Sequence, residues 1–523
     1  MATATSISGI PAPFKHASDY VDGGIGSSSS ITLEDGLKFK DVPITFSGNG
    51  NLTSGRKAAV SAILILCNSL IFMSFGACVG GGFGIGRSLG VYDPTTTAWI
   101  AAAYPLTQGA FVLVTGRIGS VYGHKNVLLL GGVWWTLCSL VNGFCTQSLA
   151  TFAVARAFSG IGAAMVMPNV IATIGITFPP GPWRNYSFGF LGFGAPVAGT
   201  AGTAVIAAFM EFVHWKWFFF CITILGALLF TALWAILPHE EVVDKEGTVD
   251  WIGAVLGISA LITFNFVWNQ APAVGWSEIY ILIALVVSIA LFINFAIFEH
   301  AYATSPILPL KIFKAPSFFP LCIVILLTIM SYSTALWYLV AFQQLIRHWT
   351  PLHFAAGLTP HAIFGGLAAP VASFLVPRIA AQYLLAFGAL SVMLSAILLA
   401  TMPEQQSYWC QVFPATILMA VCSDFVFTAA QIIATGAVGR KDQGAAGSLV
   451  SLLQLYGASI GLGVAGTVEG GFSRGGRGDV RGYRGALWAA VIFASIAVVV
   501  DGVWVRVKRD ERVGWEDEET ELK

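Results

Sequence analysis

The chain has 523 residues, of which 56% are hydrophobic and only 10% are charged. Soluble domains carry about 25% charged residues, so this composition excludes an ordinary soluble globular protein. Lys plus Arg (27) balances Asp plus Glu (27), and no basic stripe is present, which argues against a nucleic-acid partner.

Residues 1–55 are rich in Ser, Gly and Thr and predict a disordered cytosolic tail. Fourteen apolar segments follow, each long enough to cross about 30 Å of hydrocarbon as a helix. The predicted spans are 57–82, 96–116, 126–146, 149–172, 187–210, 217–237, 251–271, 278–299, 317–345, 353–376, 383–402, 409–435, 444–469 and 485–507. Backbone polar groups in lipid must be satisfied internally, so the predicted fold is an all-α integral membrane bundle. Residues 508–523 form a charged tail.

The short connections on one side of this bundle carry more Lys and Arg than those on the other. Positive charge near span ends favours the cytosol, so both termini are predicted to be cytosolic. We expect a multi-pass monomer in the plasma membrane, with a vacuolar or other internal membrane as the alternative.

The connection after span 2 reads GRIGSVYGHK, residues 116–125. Its glycines would allow two helix ends to approach closely around a tight turn. We therefore predict a tight turn between two helices at the cytosolic surface. The residues of this loop are Gly116, Arg117, Gly119, Ser120, Gly123, His124 and Lys125.

Span 4 places Arg156 inside an apolar helix. A cation at mid-membrane costs about 2.5–3.5 kcal/mol on insertion scales, so Arg156 should face a cavity or a partner. The alternative is an arginine that reaches the outer membrane surface, since Arg156 lies about two turns from the end of the span.

Span 5 carries Pro196, Gly199 and Gly202. Proline inside a helix favours a bend, and small residues allow helices to pack closely. We predict a bend in this span with close packing on one side.

Span 12 carries Asp424 near its middle, with Thr428, Gln431 and Thr435 at spacings that share one helical face. This polar stripe makes Asp424 a candidate proton carrier. The alternative is a protonated carboxyl group that only packs and hydrogen-bonds.

Several motifs resemble those of the major facilitator superfamily. They are GRIGSVYGHK (116–125), ARAFSGIGAAMVMPN (155–169), GFGAPVAGTAG (192–202) and HWKWFFF (214–220). With SDFVFTAAQII (423–433) they resemble the fungal fourteen-span drug:proton antiporters of the aminotriazole-resistance type. The resemblance implies that residues 116–125 form a gating loop. The family carries an acid where this chain has Ser120, and that carboxylate helps to latch the two halves on the cytosolic side.

The resemblance implies two six-helix bundles, residues 56–237 and 309–507, with two linker spans in 238–308. It also implies a central cavity lined chiefly by spans 1, 4, 9 and 12, which include the spans of Arg156 and Asp424. The family ties the arginine of span 4 to proton coupling, so the resemblance makes Arg156 a second candidate for proton coupling beside Asp424. The candidate cavity residues are Asn68, Phe72, Tyr332, Ser333, Thr334, Trp337, Thr428 and Gln431. Their aromatic and weakly polar character suits neutral or amphipathic ligands.

We therefore predict a proton-coupled transporter that exports small organic molecules by alternating access, with a small-molecule substrate, protons and the lipid bilayer as its partners. The first alternative is a facilitator or uptake system for a small polar solute such as ammonium or borate, since Ser120 removes the usual acid. A membrane sensor is a remote alternative. The sequence has no nucleotide-binding loop of the Gly-x-x-x-x-Gly-Lys-[Ser/Thr] type and no pattern typical of a metal site or an enzyme, so no cofactor, metal or catalytic residue is predicted.

Overall fold

The computed structural model describes residues 54–178, 182–237, 244, 247–303, 306–375, 378–438, 443–473 and 479–507. Within these ranges the chain forms α-helices joined by short connections, with a 3-10 turn at Leu310–Lys314 and a π-helical turn at Phe342–Ile346. The helices are α1 Ser54–Gly80, α2 Gly82–Ser88, α3 Pro94–Thr97, α4 Trp99–Tyr122, α5 His124–Phe144, α6 Leu149–Thr177, α7 Pro182–Phe212, α8 Lys216–Ile236, α9 Trp251–Val274, α10 Ile279–Ala301, α11 Phe318–Ala341, α12 Pro351–Gly357, α13 Thr359–Leu375, α14 Ala381–Thr401, α15 Val412–Gly436, α16 Gln443–Phe472 and α17 Val480–Trp504. Apart from residues 54 and 55, the predicted N-terminal tail lies outside the described residues, as does the whole C-terminal tail.

Fourteen helical segments are long and apolar enough to cross a membrane, and each predicted span overlaps one of them. The described ranges contain no β-strand. The prediction of an all-α, multi-pass membrane protein is therefore confirmed. Spans 2 and 10 are each built from two helices, α3 with α4 and α12 with α13.

The second span is longer than the sequence predicts. The predicted end is residue 116, but α4 continues to Tyr122, since the segment GRIGSVY contains no proline and its amides can extend the helical hydrogen bonding. The helix ends at Gly123, whose φ of 96° lies in the left-handed region that glycine adopts without strain. Most of the predicted gating loop is thus helical, and the connection to α5 is Gly123 alone.

Helices close in sequence pack together at each end of the chain. A buried cluster drawn from residues 60–237 includes Leu64, Trp135, Phe152 and Phe218. In the second half, α14 packs along α15 and α17, and α11 packs along α16 and α17. Helix α9 contacts α4 on one side and α16 on the other, so it touches both parts of the chain. The division into two six-helix bundles stays a prediction.

Helices α1 and α7 approach each other through glycines. A methyl group added at Gly202 would collide with the backbone carbonyl oxygen of Met73, and one added at Gly76 would collide with that of Gly199. At Gly199 itself, the nearest atom to an added methyl group would be the Phe72 carbonyl oxygen, 4.0 Å away. Pro196, the residue at which a bend is predicted, lies inside α7.

These contacts predict different results for two substitutions on the same helix. Gly202→Ala should lower the free energy of unfolding by about 1–3 kcal/mol, because a methyl group must displace the backbone of α1. Gly199→Ala is the matched control and should be tolerated. The measurement is the thermal unfolding midpoint of each purified variant in detergent. Equal midpoints for the two variants would show that α1 and α7 are not packed as described.

Candidate functional site

A cavity of about 1870 Å³ lies between helices from both halves of the chain. Its lining includes residues of α1, α4, α6, α7, α11, α13, α15 and α16. The four spans that the resemblance implies thus contribute, and several further helices line the cavity with them. The wall combines aromatic rings with amide and hydroxyl side chains, which is the usual make-up of a site for organic molecules.

The cavity is accessible from one end of the bundle. At that end its lining includes partly or fully exposed residues, among them Arg117, Ser120, Asp244, Lys311 and Gly444. We call this end the mouth. It lies on the side that the distribution of Lys and Arg predicts to be cytosolic.

The opposite end of the cavity is closed by buried residues. The rings of Phe83 and Trp337 have centroids 4.7 Å apart. Gln344 Nε2 donates a hydrogen bond to the Gly80 carbonyl oxygen at 2.7 Å, which joins the end of α1 to the π-helical turn after α11. Phe354 and Leu358 complete this closed end.

Most of the candidate cavity residues line this cavity. They are Asn68, Phe72, Tyr332, Ser333, Trp337, Thr428 and Gln431. Thr334 does not: it is buried and donates its hydroxyl hydrogen to the Gly461 carbonyl oxygen at 3.1 Å. Of the predicted bend residues, Pro196 and Gly199 line the cavity and Gly202 packs on α1 instead.

Asp424 lies in the cavity wall, within the membrane-spanning helix α15, and is 7% exposed. Ser423 Oγ lies 3.4 Å from its Oδ2. Among the described residues, no Lys, Arg or His lies within ion-pair distance of its carboxyl group. A methyl group at Gly365 would lie 3.5 Å from Oδ2, so the carboxyl group faces α13. A charge in this position is costly unless it is protonated, paired or hydrated.

The polar residues that follow Asp424 on α15 are hydrogen-bonded to the neighbouring helix α16. Gln431 Nε2 donates to the Gly447 carbonyl oxygen at 3.2 Å and lies 3.5 Å from Ser451 Oγ. Thr435 donates back to the Gln431 carbonyl oxygen. The stripe therefore leads from Asp424 toward the mouth along the contact between α15 and α16.

Arg156 lies behind the cavity wall rather than in it. Its side chain is fully buried on α6, and it donates to Ser74 Oγ at 2.8 Å and to the Ser74 carbonyl oxygen at 3.3 Å. Its Cζ lies 4.3 Å from the centre of the Tyr104 ring, and Tyr104 lines the cavity. No acid among the described residues pairs with it. Arg156 thus has polar and aromatic partners on α1 and α4, one of the two surroundings expected for it, and it reaches neither the cavity nor the membrane surface.

The residues predicted as a gating loop surround the junction of α4 and α5. His124 Nδ1 lies 2.7 Å from Asn169 Oδ1 on α6, and a methyl group at Gly119 would collide with that same oxygen. Lys125 donates to the Leu237 carbonyl oxygen at 2.6 Å. Gly116 faces Ser448 of α16, 3.3 Å from an added methyl group. The junction therefore contacts three other elements of the chain.

Ser120 lacks the carboxylate that the resemblance leads one to expect, but a carboxylate from elsewhere lies at this corner. Asp244 Oδ2 accepts a hydrogen bond from Arg117 Nη1 at 2.8 Å, and the Asp244 amide donates to the Ser120 carbonyl oxygen at 3.1 Å. Arg117 Nη2 also donates to the Thr248 carbonyl oxygen at 3.2 Å. Arg117 thus attaches the segment that precedes α9 to the mouth of the cavity.

Loss of the Asp244 carboxylate should make the mouth-open state less populated. The Arg117 and Asp244 side chains are 28% and 39% exposed, and half-exposed pairs contribute modestly, so we expect a shift of about two- to fivefold. The measurement is the maleimide labelling rate, from the mouth side, of a cysteine introduced as Thr428→Cys. Asp244→Asn and Arg117→Gln should each slow labelling, and the double variant should slow it no further than Arg117→Gln alone. Arg378→Gln removes a cation whose neighbour is Phe374 and serves as the control.

Two features of the site were missed by sequence reasoning. His361 lines the cavity, and its Nε2 lies 2.9 Å from the Tyr332 hydroxyl oxygen. A histidine inside an apolar span is itself a signal of function, so the sequence contained the means to find it. Asp244 lies in a polar connection, and nothing in its local sequence indicates a partner on α4.

Comparison with known proteins agrees with this architecture. The sequence profile of the Major Facilitator Superfamily matches residues 58–462. The chain is 31% identical over 419 residues to the aminotriazole resistance protein of Saccharomyces cerevisiae, covering 79% of this chain and 77% of that protein. It is 30% identical over 457 residues to the efflux pump terG of Aspergillus terreus, covering 84% and 85%. It is 33% identical over 425 residues to the low affinity ammonium transporter of Saccharomyces cerevisiae, covering 80% and 82%.

The family match covers more than half of the chain, and three relatives named for resistance, efflux or transport align with most of it. These findings confirm the resemblance to aminotriazole-resistance-type proteins and favour transport over enzymatic catalysis. The chain belongs to the Major Facilitator Superfamily of membrane transporters.

Proposed function

We propose that the chain exports small organic molecules in exchange for protons, by alternating access to the central cavity. The observation that carries this proposal is Asp424: a buried carboxyl group in the wall of a large cavity, inside a membrane-spanning helix, with no described basic side chain within ion-pair distance. Such a group can hold a proton in one state of the cycle and release it in another, when water or a cation reaches it.

The direction of transport is supported by the mouth of the cavity and by the relatives. With the predicted orientation, the mouth faces the cytosol, which is the state in which an exporter takes up its substrate. The relatives named for aminotriazole resistance and for efflux are consistent with export. We infer a plasma-membrane monomer with two six-helix bundles joined by α9 and α10.

The substrate class follows from the wall of the cavity. The wall contains aromatic rings such as Phe72, Tyr332 and Trp337, and amides such as Asn68 and Gln431. Rings provide apolar contact area and amides provide a few directional hydrogen bonds, which suits neutral or amphipathic organic molecules.

A facilitator for a small polar solute is the second candidate. The observation that favours it is Ser120, together with the relative named as a low affinity ammonium transporter. The carboxylate of Asp244 at the same corner weakens the argument, since Arg117 still has an acidic partner.

Substrate accumulation by the purified protein, in vesicles with an imposed pH gradient, distinguishes the antiporter from the facilitator. The substrate is first found by a resistance screen in a host that lacks its own drug pumps. An antiporter should concentrate it in vesicles that are acidic inside, and a protonophore should abolish the effect. Protein-free vesicles with the same gradient correct for passive trapping of weak bases. A facilitator would only equilibrate the substrate, and an uptake symporter would concentrate it in vesicles that are acidic outside; either result would overturn the proposal.

A further inference from the structure

Gln454 lies inside the membrane-spanning helix α16 and lines the central cavity. Ser451 and Ala458 also line the cavity, and their spacing of three and four residues from Gln454 places all of them on one face of the helix. Tyr456, two positions further along, lies on the opposite face, where its hydroxyl group donates to the Leu261 carbonyl oxygen of α9 at 3.0 Å. The side of α16 that carries Gln454 therefore faces the cavity and not the lipid.

The side-chain amide of Gln454 is available to a ligand. The residue is partly exposed, neither of its side-chain polar atoms is sealed from solvent, and no described residue forms a hydrogen bond with them. Gln431, another amide in the same wall, is already hydrogen-bonded to α16 through its Nε2. A primary amide has two N–H donors and a carbonyl acceptor, so Gln454 can offer the cavity both kinds of hydrogen bond at once.

The contacts between α15 and α16 give the depth of this amide in the cavity. These consecutive spans are antiparallel, and Gln431 Nε2 lies 3.2 Å from the Gly447 carbonyl oxygen and 3.5 Å from Ser451 Oγ. Three residues further from the mouth, α15 carries Thr428 and α16 carries Gln454, and both line the cavity. Three helical residues rise about 4.5 Å, so Gln454 lies that much deeper than Ser451, on the helix next to that of Thr428.

We propose that Gln454 is a specificity-determining residue that binds the carboxamide edge of a substrate, amide against amide. In a primary carboxamide the carbonyl oxygen and one N–H group share an edge, and Gln454 can present the same pair in the reverse order, so two hydrogen bonds form. A ketone of the same shape has no N–H group and forms only one. The proposal rests on the proposed function only in that the substrate binds in this cavity.

Benzamide and acetophenone test the proposal, since they have nearly the same shape and no charge, but only benzamide has an N–H group beside its carbonyl oxygen. Each compound should slow the maleimide labelling, from the mouth, of a cysteine introduced as Thr428→Cys in the purified protein. The ratio of the two half-protecting concentrations is measured with Gln454 present and in Gln454→Met, a comparison that cancels any difference in how the compounds enter the detergent. We expect Gln454 to favour benzamide by about two- to tenfold, the value of one additional neutral hydrogen bond.

Two further variants serve as controls. Gln454→Leu is a second apolar replacement, and the labelling rate without any compound shows whether each variant keeps an accessible cavity. Gln431→Met removes an amide that is already hydrogen-bonded, so the preference for benzamide should survive in it. The same ratio with and without Gln454, no protection by benzamide, or loss of the preference in Gln431→Met as well would each overturn the proposal. The measurement uses no pH gradient, so a failure of proton-driven export and a failure of Gln454 to bind an amide are separate results.

Discussion

Asp424→Asn should reduce pH-driven accumulation of substrate to the level of protein-free vesicles. Asparagine keeps the size of the side chain and can accept most of the same hydrogen bonds, but it cannot carry a proton through the cycle. Because the substituted protein should still change between its two states, exchange of labelled for unlabelled substrate without a gradient should persist. The effect is thus a loss of coupling rather than a loss of binding.

The control for this prediction is Thr428→Val, one helical turn away on the same face of α15 and also in the cavity wall. It changes the polarity of the wall but leaves the carboxyl group in place, so gradient-driven accumulation should continue. If vesicles containing Asp424→Asn concentrate substrate at the wild-type rate, Asp424 is a packing residue and another residue must couple proton movement to transport. His361 would then be the described cavity residue to examine next.

The fold could be predicted from sequence because the membrane leaves few choices. Each apolar segment must form a helix that satisfies its own backbone, and length alone sets where it crosses. The predicted bounds were wrong at the ends of spans, where water can satisfy the backbone and the membrane no longer dictates the structure. The last turns of α4 run through glycines and polar residues past the hydrocarbon, and only the positive φ of Gly123 ends the helix.

The site was only partly predictable. The position of Asp424 follows from the cost of a buried acid and from the helical spacing of Thr428 and Gln431. The surroundings of Arg156 could not be predicted in this way, because the cost of a buried charge allows a cavity, a partner or the membrane surface. Its contacts with Ser74 and Tyr104 depend on how α1, α4 and α6 pack together. The pairing of Arg117 with Asp244 joins residues far apart in sequence and required the structure.

Arg156 should be needed for transport but not for folding. Arg156→Met removes a buried cation that lacks an acidic partner among the described residues, which relieves a desolvation cost, but it leaves the Ser74 hydroxyl and carbonyl groups without their donor. These effects oppose each other, so we expect the unfolding midpoint to change little. Transport driven by a pH gradient should nevertheless be lost, because the positive charge behind the cavity wall at Tyr104 is gone.

Comparison with Arg156→Lys separates the role of the positive charge from that of the guanidinium shape. Lysine keeps the charge but not the planar fork that contacts both Ser74 oxygen atoms, so transport should fall by about tenfold without being abolished, the effect of one lost charge-assisted hydrogen bond. Unfolding midpoints and gradient-driven uptake are measured on the same preparations. If Arg156→Met transports as well as the wild type, the charge has no part in the cycle and Arg156 serves packing alone. If both variants unfold at much lower temperature, its contacts with Ser74 hold α1 against α6 and the loss of transport has a structural cause.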